Sequence, residues 1–169
     1  MAPDTTSIRP ATVADATAMA AIFNQGIADR VATFQTREQT PEEVAEILSR
    51  RRVALVAERH GHIVAFAWVG AYDDDHDYYA GVGEATLYVE RGARRGGVGA
   101  ALMHALPGAA VEAGFHKLVG KVFTSNEPSL AMLRAVGWRE VGVHRRHSRL
   151  DGAWKDVIVV ELLIGDAAT

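Results

Sequence analysis

A turn rich in arginine and glycine is the part of this sequence whose residue types point most directly to chemistry. It follows Glu84–Val89, a β-branched and aromatic segment that is predicted to be a strand. Apolar residues at Val98, Leu102 and Leu106 then recur at helical spacing. A glycine-rich helix entry exposes backbone N–H groups at the positive end of the helix dipole, with no Cβ in the way, and favours a bound diphosphate. The turn contains Arg91, Gly92, Arg94, Arg95, Gly96, Gly97 and Gly99.

Two common phosphate-binding motifs do not describe this turn. The P-loop pattern GxxxxGK[ST] needs a Lys-Ser or Lys-Thr pair, which the sequence lacks. The dinucleotide pattern GxGxxG needs a third glycine, but Gly97–Gly99 is followed by Ala100–Leu102. The pattern present over Arg94–Ala100 is [R/Q]xxGx[G/A]. Alone it fits equally well a helix start that needs glycine only for close packing, whereas its place between a strand and an amphipathic helix favours a phosphate site.

Two other groups carry side chains of the kind that bind metals. His144 and His147 lie three apart on a predicted strand, so alternation places them on opposite faces and a shared metal is not expected. The acidic run Asp73–Asp77 lacks calcium-loop spacing and a terminal Glu, and is predicted to be a solvated loop. The absence of cysteine excludes disulfides, thiolate nucleophiles and cysteine-ligated metals. The sequence therefore predicts no metal site.

The composition is that of a globular protein. With 169 residues, 49% of them hydrophobic and 23% charged, the chain can bury a substantial core, and we expect one domain over residues 1–169 with a core at 6–165. A net charge of −3 gives no reason to expect nucleic acid or a membrane surface as partner. Residues 1–10 contain no apolar leader and no run is long enough to span a membrane, so the expected location is the cytoplasm.

Strands and helices must position these candidates, and the hydrophobic pattern predicts the order β-α-α-β-β-β-α-β-α-β-β. The clearest helix start is Thr40–Glu43, which combines an N-cap, a proline and a glutamate three residues on. Hairpin turns are predicted at Arg59–His62 and Asp151–Gly152. The predicted class is α/β, a mixed sheet with covering helices. Strands are predicted over 7–9, 53–58, 63–69, 84–89, 117–123, 138–150 and 154–163, and helices over 12–28, 40–51, 127–135 and from 98 onward.

This order of elements, with the Arg94–Ala100 loop after the fourth strand, resembles the GNAT acyltransferase fold over essentially the whole chain. The resemblance implies a twisted mixed sheet of about seven strands flanked by four helices. Within that superfamily the sequence is similar to the phosphinothricin N-acetyltransferase family, some of whose members acetylate arsinothricin or methionine sulfoximine. The similarity is carried by Phe23-Asn24 with Thr33–Thr36 and Gln39–Pro41, by Glu84–Val89, by Asn126–Ser129 before Gly137-Trp138, and by Gly152–Asp156.

The resemblance implies transfer of an acetyl group from acetyl-CoA, as co-substrate, to a primary amine. An α-amino group is largely protonated at neutral pH, so a proton must leave before the amine attacks the thioester. Glu84, at the start of the central strand, matches the carboxylate that the family places beside the acceptor amine, and it is the predicted base. The competing interpretation is a surface glutamate on a strand.

The resemblance also implies how acetyl-CoA would be held. In GNAT enzymes the fourth and fifth strands splay apart, so backbone groups of Leu87, Tyr88 and Val89 would meet the pantetheine arm, and one N–H would face the oxyanion. Asn126 matches a family asparagine near the pantetheine and Ser129 lies one turn on, although helix capping would suit both. Predicted diphosphate contacts are Arg94, Arg95, Gly96, Gly97, Val98 and Gly99, with at least one of the arginines expected to be only solvated.

The acceptor site follows from the same comparison. Phe34 and Thr36 would line its mouth and Tyr72 is a candidate wall, as are Trp68 and Tyr79. A second anionic group on the acceptor would need a cation. The arginines near such a site are Arg30, Arg37, Arg145, Arg146 and Arg149. Strand alternation would place Arg145 and Arg149 on the same face, and Arg149 is the predicted contact for the anionic group. The alternative is that these arginines form a solvated face.

One position departs from the family pattern. Four residues before Gly137, where many GNAT enzymes carry Tyr and phosphinothricin enzymes His, this sequence has Leu133. A thiol of pKa near ~8.5 can leave without a strong acid, so no acid is assigned. The expected protein is a homodimeric enzyme acting on a small-molecule amine, of a kind that confers antibiotic or herbicide resistance. The alternatives are a general amino-acid, polyamine or protein N-terminal acetyltransferase and a non-catalytic acyl-CoA sensor.

Overall fold

The computed structural model describes residues 6–169. The prediction that residues 1–10 contain no apolar leader therefore falls partly outside the described residues. The strands are β1 (Ser7–Pro10), β2 (Val53–Arg59), β3 (His62–Ala71), β4 (Val82–Val89), β5 (Lys117–Phe123), β6 (Arg139–Leu150) and β7 (Ala153–Leu163). The α-helices are α1 (Ala16–Asp29), α2 (Pro41–Ser49), α3 (Val98–Glu112) and α4 (Glu127–Ala135). This is the predicted order, and the α/β class with seven strands and four helices is confirmed. None of the helices in the described part combines the length and apolar content that crossing a membrane requires.

The seven strands form one mixed sheet with a gap inside it. Their order is β1-β2-β3-β4-β5-β7-β6, and the pairing of β4 with β5 is parallel whereas the other neighbours are antiparallel. β4 and β5 pair at three positions only, the last being Glu84 with Val119. Beyond them β4 continues to Val89 and β5 to Phe123 without pairing to each other. The splay that the family resemblance implies is therefore present, and it opens at Glu84.

Two hydrophobic clusters hold the helices on opposite faces of the sheet. Helices α3 and α4 cover one face, where Leu102, Leu106 and Leu130 are buried against strand residues that include Ala67 and Leu118. Helices α1 and α2 cover the other face. The second cluster contains Met19, Phe23, Val44, Leu48, Val56, Phe66, Trp68 and Tyr88. Residues of β4 thus alternate between the two cores, which fixes the face on which each side chain lies.

Local signals explain most of the helix starts and turns. Thr40 and Glu43 form the predicted capping box, with the Glu43 N–H donating to Thr40 Oγ1 at 3.2 Å and the Thr40 N–H donating to Glu43 Oε2 at 2.8 Å. Both predicted hairpins are confirmed. Their turns have positive φ at Asp151 and Gly152 (49° and 81°) and at His60 and Gly61 (50° and 79°). Helix α2 ends at Ser49, two residues before its predicted end, because the chain must turn into β2 at Val53.

The expectation that His144 and His147 face opposite ways is wrong. Their rings lie 4.8 Å apart between centroids, because the β6–β7 register shifts between His144 and Ser148. Arg146 has a positive φ of 50° at this bulge and its N–H donates to Asp156 Oδ1 at 2.7 Å. Strand alternation therefore cannot be used to orient the arginines of β6. Within residues 6–169, no cluster of three or more His, Asp or Glu side chains is arranged to hold a metal.

Asp15 ties the start of α1 to β1, and its removal is expected to destabilise the fold. Its two oxygens accept from Arg9 Nη1 and Nη2 at 2.9 Å each, and Oδ2 also accepts from the Thr12 N–H at 2.7 Å. We expect Asp15→Asn to lower the free energy of unfolding at pH 7 by about 1–2 kcal/mol, because the charge-assisted hydrogen bonds of a partly buried ion pair are lost. Urea unfolding of both proteins measures this difference.

The effect of Asp15→Asn should depend on pH in one direction. Hydrogen bonding from Arg9 lowers the pKa of Asp15 below its ordinary value of 3.8. The stabilisation is therefore present above the unfolded-state pKa and is lost as the pH falls through the lower folded-state pKa. The exposed loop variant Asp75→Asn serves as control and should change stability by less than about 0.5 kcal/mol at any pH. A difference between wild type and Asp15→Asn that grows on acidification would contradict this account.

Candidate active site

The gap between β4 and β5 contains a cavity of about 490 Å³. One wall is formed by Ala85–Tyr88 of β4 and the other by Gly120–Phe123 of β5. Because these segments do not pair with each other, backbone groups along both edges are left without ladder partners across the gap. A cavity of this size with polar backbone edges is typical of sites that enclose a small ligand.

Glu84 lies where the gap begins and lines the cavity. Its Oε2 atom is 3.0 Å from Nζ of Lys121, and both side chains are partly exposed. On the other side of β4, Glu84 is directly opposite Gly70 of β3. The carboxylate therefore faces the cavity with an ammonium beside it and no side chain on the residue opposite. This arrangement suits a group that accepts a proton from a bound ligand.

Tyr88 forms the floor of the cavity on the α1 side. Its ring is 4.6 Å from that of Phe23 between centroids, and a Cβ on Gly26 would lie 2.5 Å from the Tyr88 ring, so α1 packs closely here only because residue 26 is glycine. Burial raises the pKa of Tyr88 to about 12, and its hydroxyl shares a hydrogen bond with Thr33. The side chain therefore stays neutral and holds the segment that follows α1.

That segment, residues 30–40, closes one end of the cavity. Phe34 contacts Phe123 of β5 with ring centroids 4.9 Å apart. Arg30 forms an ion pair with Asp151 in the β6–β7 turn at 2.9 Å. The amide of Asn24 exchanges two hydrogen bonds of 2.9 Å with the backbone of residue 39. These contacts carry the segment from α1 across the gap to the far half of the sheet and bring Phe34 into the cavity wall.

The predicted diphosphate loop leads into α3 with an uncapped helix N-terminus. Gly97 is the N-cap with φ of 77°, no side chain caps it, and the first amide bonded back to it is that of Ala101. The N–H groups of Val98, Gly99 and Ala100 thus belong to the first turn, which has no intrahelical acceptors. A Cβ at Gly97 or Gly92 would meet nothing within 4 Å. The loop therefore offers open donors at the positive end of a helix.

The two arginines predicted for this loop differ in their surroundings. Arg94 donates from Nε to the Val89 carbonyl at 3.1 Å and pairs with Asp29 at the end of α1 at 2.7 Å. Arg91 also pairs with Asp29, at 2.6 Å, and these two arginines lower the pKa of the Asp29 carboxyl. Arg94 therefore anchors the loop to α1. Arg95 is exposed, has a positive φ of 64° and forms no side-chain ion pair or hydrogen bond within residues 6–169.

The opposite side of the cavity is formed by α4 and by Trp138, three residues after its end. Asn126 caps α4 and accepts from the Ser129 N–H at 3.4 Å, and both residues line the cavity. Leu133 also lines it and presents only apolar atoms. Trp138 is 5% exposed, and its Nε1 donor has no hydrogen-bond partner among residues 6–169. A buried donor without a partner beside a cavity is a group that a ligand could satisfy.

The structure brings together part of the predicted site. Glu84, Leu87, Tyr88, Phe34, Asn126 and Ser129 line one cavity. Thr36, Tyr72, Val89 and Arg149 are not among its lining residues; Tyr72 packs on Tyr79 at 5.5 Å and Arg149 lies 4.3 Å from the Trp154 ring centroid. The lining residues that were not predicted for the site include Arg51, Lys121 and Trp138. For Arg51 the helix predicted over 40–51 would have placed it four residues after Ile47 on one face, although in the structure α2 ends at Ser49.

Comparisons with known proteins relate this chain to acetyltransferases. The sequence model of the Acetyltransferase (GNAT) family matches residues 21–138. The chain is 34% identical to phosphinothricin N-acetyltransferase of Streptomyces viridochromogenes over 89% of this chain and 83% of that protein. It is 26% identical to L-methionine sulfoximine/L-methionine sulfone acetyltransferase of Pseudomonas aeruginosa, over 92% and 93% of the two chains. A crystal structure of a GNAT superfamily phosphinothricin acetyltransferase from Sinorhizobium meliloti, in complex with AcCoA, has the same fold, with a TM-score of 0.90, 24% identity and coverage of 96% and 90%.

Proposed function

Because this chain belongs to the acetyltransferase (GNAT) family, and within it to the phosphinothricin N-acetyltransferases, we propose that it acetylates the α-amino group of a small amino-acid-like acceptor such as phosphinothricin, arsinothricin or methionine sulfoximine. The acetyl donor is acetyl-CoA. The observation that carries the proposal is the position of Glu84, whose carboxylate lies where the sheet opens and faces the cavity. The methionine sulfoximine acetyltransferase relative supports the choice of acceptor class.

The residues present fit acetyl-CoA. The unpaired edges of β4 and β5 suit a pantetheine arm that hydrogen-bonds as an added strand would, and the cavity between them has room for it. The open amides of Val98–Ala100 and the side chain of Arg95 suit the diphosphate. When bound, acetyl-CoA supplies a thioester carbonyl that an amine can attack.

The acceptor must lose a proton, and Glu84 is placed to take it. An acceptor amine in the cavity beside Glu84 would donate to one carboxylate oxygen while the other remains near the Lys121 ammonium. Lys121 thereby holds the carboxylate in one orientation. A backbone N–H at the free edge of β4, within Leu87–Val89, would stabilise the charge that develops on the carbonyl oxygen.

No side chain is proposed as the acid for the departing thiol. Leu133 has no proton to give, and burial raises the pKa of the Tyr88 hydroxyl to about 12, which makes it a poor proton donor to a thiolate. A thiol of pKa near ~8.5 leaves as the thiolate at little cost. The reaction proposed here therefore needs one general base and no general acid.

The closure of the cavity favours a small acceptor over a protein. Phe34 packs against Phe123, and Arg30 pairs with Asp151, so the segment over residues 30–40 crosses the gap instead of leaving an open groove. A cavity of about 490 Å³ has room for a pantetheine arm together with an amino acid. A polypeptide N-terminus would require this segment to move.

An acceptor screen tests the proposal. Release of CoA thiol is measured with acetyl-CoA and phosphinothricin, arsinothricin, methionine sulfoximine, methionine sulfone, the ordinary amino acids, a polyamine and an alanine-terminated peptide. We expect one of the first four to give the highest kcat/KM. Because the protein contains no cysteine, it adds no thiol of its own to the signal. Turnover confined to the peptide or polyamine would contradict the acceptor class, and tight CoA binding without turnover of any amine would indicate a sensor.

A further inference from the structure

Arg51 brings a half-buried guanidinium to the cavity without an acidic hydrogen-bond partner for it. The residue follows α2, is half-buried and lines the same cavity as Glu84. Its Nε atom is buried and has no hydrogen-bond acceptor within residues 6–169, and its guanidinium forms no ion pair there. Burial lowers the pKa of Arg51 from its usual value. Partial removal of a cation from water without a hydrogen-bonded counter-ion costs free energy, and a bound anion would offset that cost.

The guanidinium lies next to the proposed base. A Cβ on Gly70 would be 3.0 Å from Nη1 and 3.1 Å from Cζ of Arg51, so the guanidinium occupies the space above Gly70. Gly70 is paired with Glu84, and residues directly opposite each other in antiparallel strands project from the same face. Arg51 also lies over the ring of Trp68, two residues earlier on β3, with Cζ 5.5 Å from the ring centroid. Its position is thus fixed beside Glu84.

The acidic groups around Arg51 leave its guanidinium available to bind an anion. Asp74 and Glu84 are the acidic groups that act on it electrostatically, but neither accepts a hydrogen bond from it. Glu84 is already paired with Lys121. Among the described cavity-lining residues, the two permanent cations are Lys121, which is paired with Glu84, and Arg51, which has no acidic partner.

Three arginines that the sequence analysis considered as contacts for an anionic acceptor group lie away from Glu84. Arg30 pairs with Asp151 and Arg37 with Glu43, both at the surface. Arg149 lies over Trp154 and outside the cavity. The segment 72–81, which borders the β3–β4 connection, contains four aspartates and no lysine or arginine. None of these groups competes with Arg51 for an anion beside Glu84.

We propose that Arg51 binds the carboxylate of the acceptor. It would thereby select amines whose amine-bearing carbon also carries a carboxylate. In an α-amino acid the amine and the carboxylate share one carbon, so an acceptor whose amine faces Glu84 can reach the neighbouring guanidinium with its carboxylate. The planar fork of arginine suits a carboxylate through paired N–H donors. The inference deepens the proposed function, on which it rests.

The test compares two acceptors that differ only in this group, L-methionine sulfone and its carboxamide. For the wild-type enzyme we expect KM for the carboxylate to be lower than for the carboxamide by about 30-fold, since charge-assisted hydrogen bonds are lost in the amide. Arg51→Gln should raise KM for the sulfone by about the same factor and change kcat by less than about threefold, with little effect on the carboxamide. Arg50→Gln is the matched control, because Arg50 is exposed and paired with Glu46 on α2.

A second variant keeps Arg51 but displaces its guanidinium. Gly70→Ala introduces a Cβ into the space of the guanidinium and should raise KM for the sulfone but not for the carboxamide. It also serves if Arg51→Gln does not fold. Equal effects of both variants on the two acceptors, or a wild type that does not distinguish them, would overturn the inference.

Calorimetry separates this inference from the proposed function. The sulfone and the carboxamide are titrated into enzyme saturated with CoA, where no acetyl transfer occurs. Binding of the sulfone that is tighter than that of the carboxamide, and that Arg51→Gln abolishes, supports the anion site even if no amine is acetylated, a result that would overturn only the proposed function. Equal binding of the two compounds, or binding of neither, would overturn the anion site whatever the kinetics show.

Discussion

Replacing Glu84 by Gln is expected to lower kcat by about 10²- to 10³-fold, because the amide cannot accept the proton that the acceptor ammonium must lose. The side chain keeps its size and sits at the last paired position of β4 and β5, so the sheet should be unaffected. The affinity for CoA, measured by calorimetry, should change by less than about twofold, since the open helix N-terminus lies elsewhere on the chain.

The control for Glu84→Gln is Glu42→Gln, which removes an exposed carboxylate from the first turn of α2. It should retain wild-type kcat within about twofold, because a surface substitution has little effect. A Glu84→Gln enzyme that turns over at the wild-type rate with saturating acceptor would remove Glu84 from its role as base. A large loss of CoA affinity with unchanged kcat would show that Glu84 acts on binding instead.

Replacing Gly97 by Asp is expected to weaken acetyl-CoA binding by about 100-fold relative to Gly97→Asn, because it places a carboxylate at the open end of α3 beside the proposed diphosphate site. Both side chains tolerate the positive φ of 77° better than other residues do, and a Cβ at this position meets no neighbour within 4 Å. The two variants therefore differ mainly in charge. Calorimetric titration with CoA measures the difference.

Salt provides a further check on the Gly97 pair. The repulsion in Gly97→Asp should decrease as ionic strength rises, so its CoA affinity should approach that of Gly97→Asn at high salt. Unfolding midpoints of the two variants should agree closely, because the site is exposed. Equal CoA affinities at low salt would show that no phosphate lies near Gly97 and would contradict the proposed orientation of the coenzyme.

Much of the fold could be predicted because its signals are local. The Thr40–Glu43 capping box, the Asp151–Gly152 turn and the helical spacing of Val98, Leu102 and Leu106 each involve residues close in sequence, and all three appear in the structure. The placement of Glu84 also followed from a short motif at the start of a strand. Such features depend on backbone preferences that act within a few residues.

The parts that failed or were missed depend on distant contacts. The bulge at Arg146 is held by Asp156 on the neighbouring strand, and no pattern within β6 reveals it. The role inferred for Arg51 depends on Gly70, which lies 19 positions away in the chain and offers the space that the guanidinium fills. Likewise Lys121 meets Glu84 only because β5 runs parallel to β4. Sequence periodicity predicts on which face of a strand a side chain lies, but not which residue of another element it contacts.

The short β4–β5 pairing has a mechanical consequence for the whole protein. With three paired positions in the middle of the sheet, β1–β4 and β5–β7 are two half-sheets held together by this short pairing, by the shared core under α3 and α4, by the Glu84–Lys121 ion pair and by the contact of Phe34 with Phe123. A coenzyme that forms hydrogen bonds to the free edges of both β4 and β5 would link the two half-sheets. Because such a coenzyme would bind the folded protein and not the unfolded chain, its binding is expected to raise the unfolding temperature.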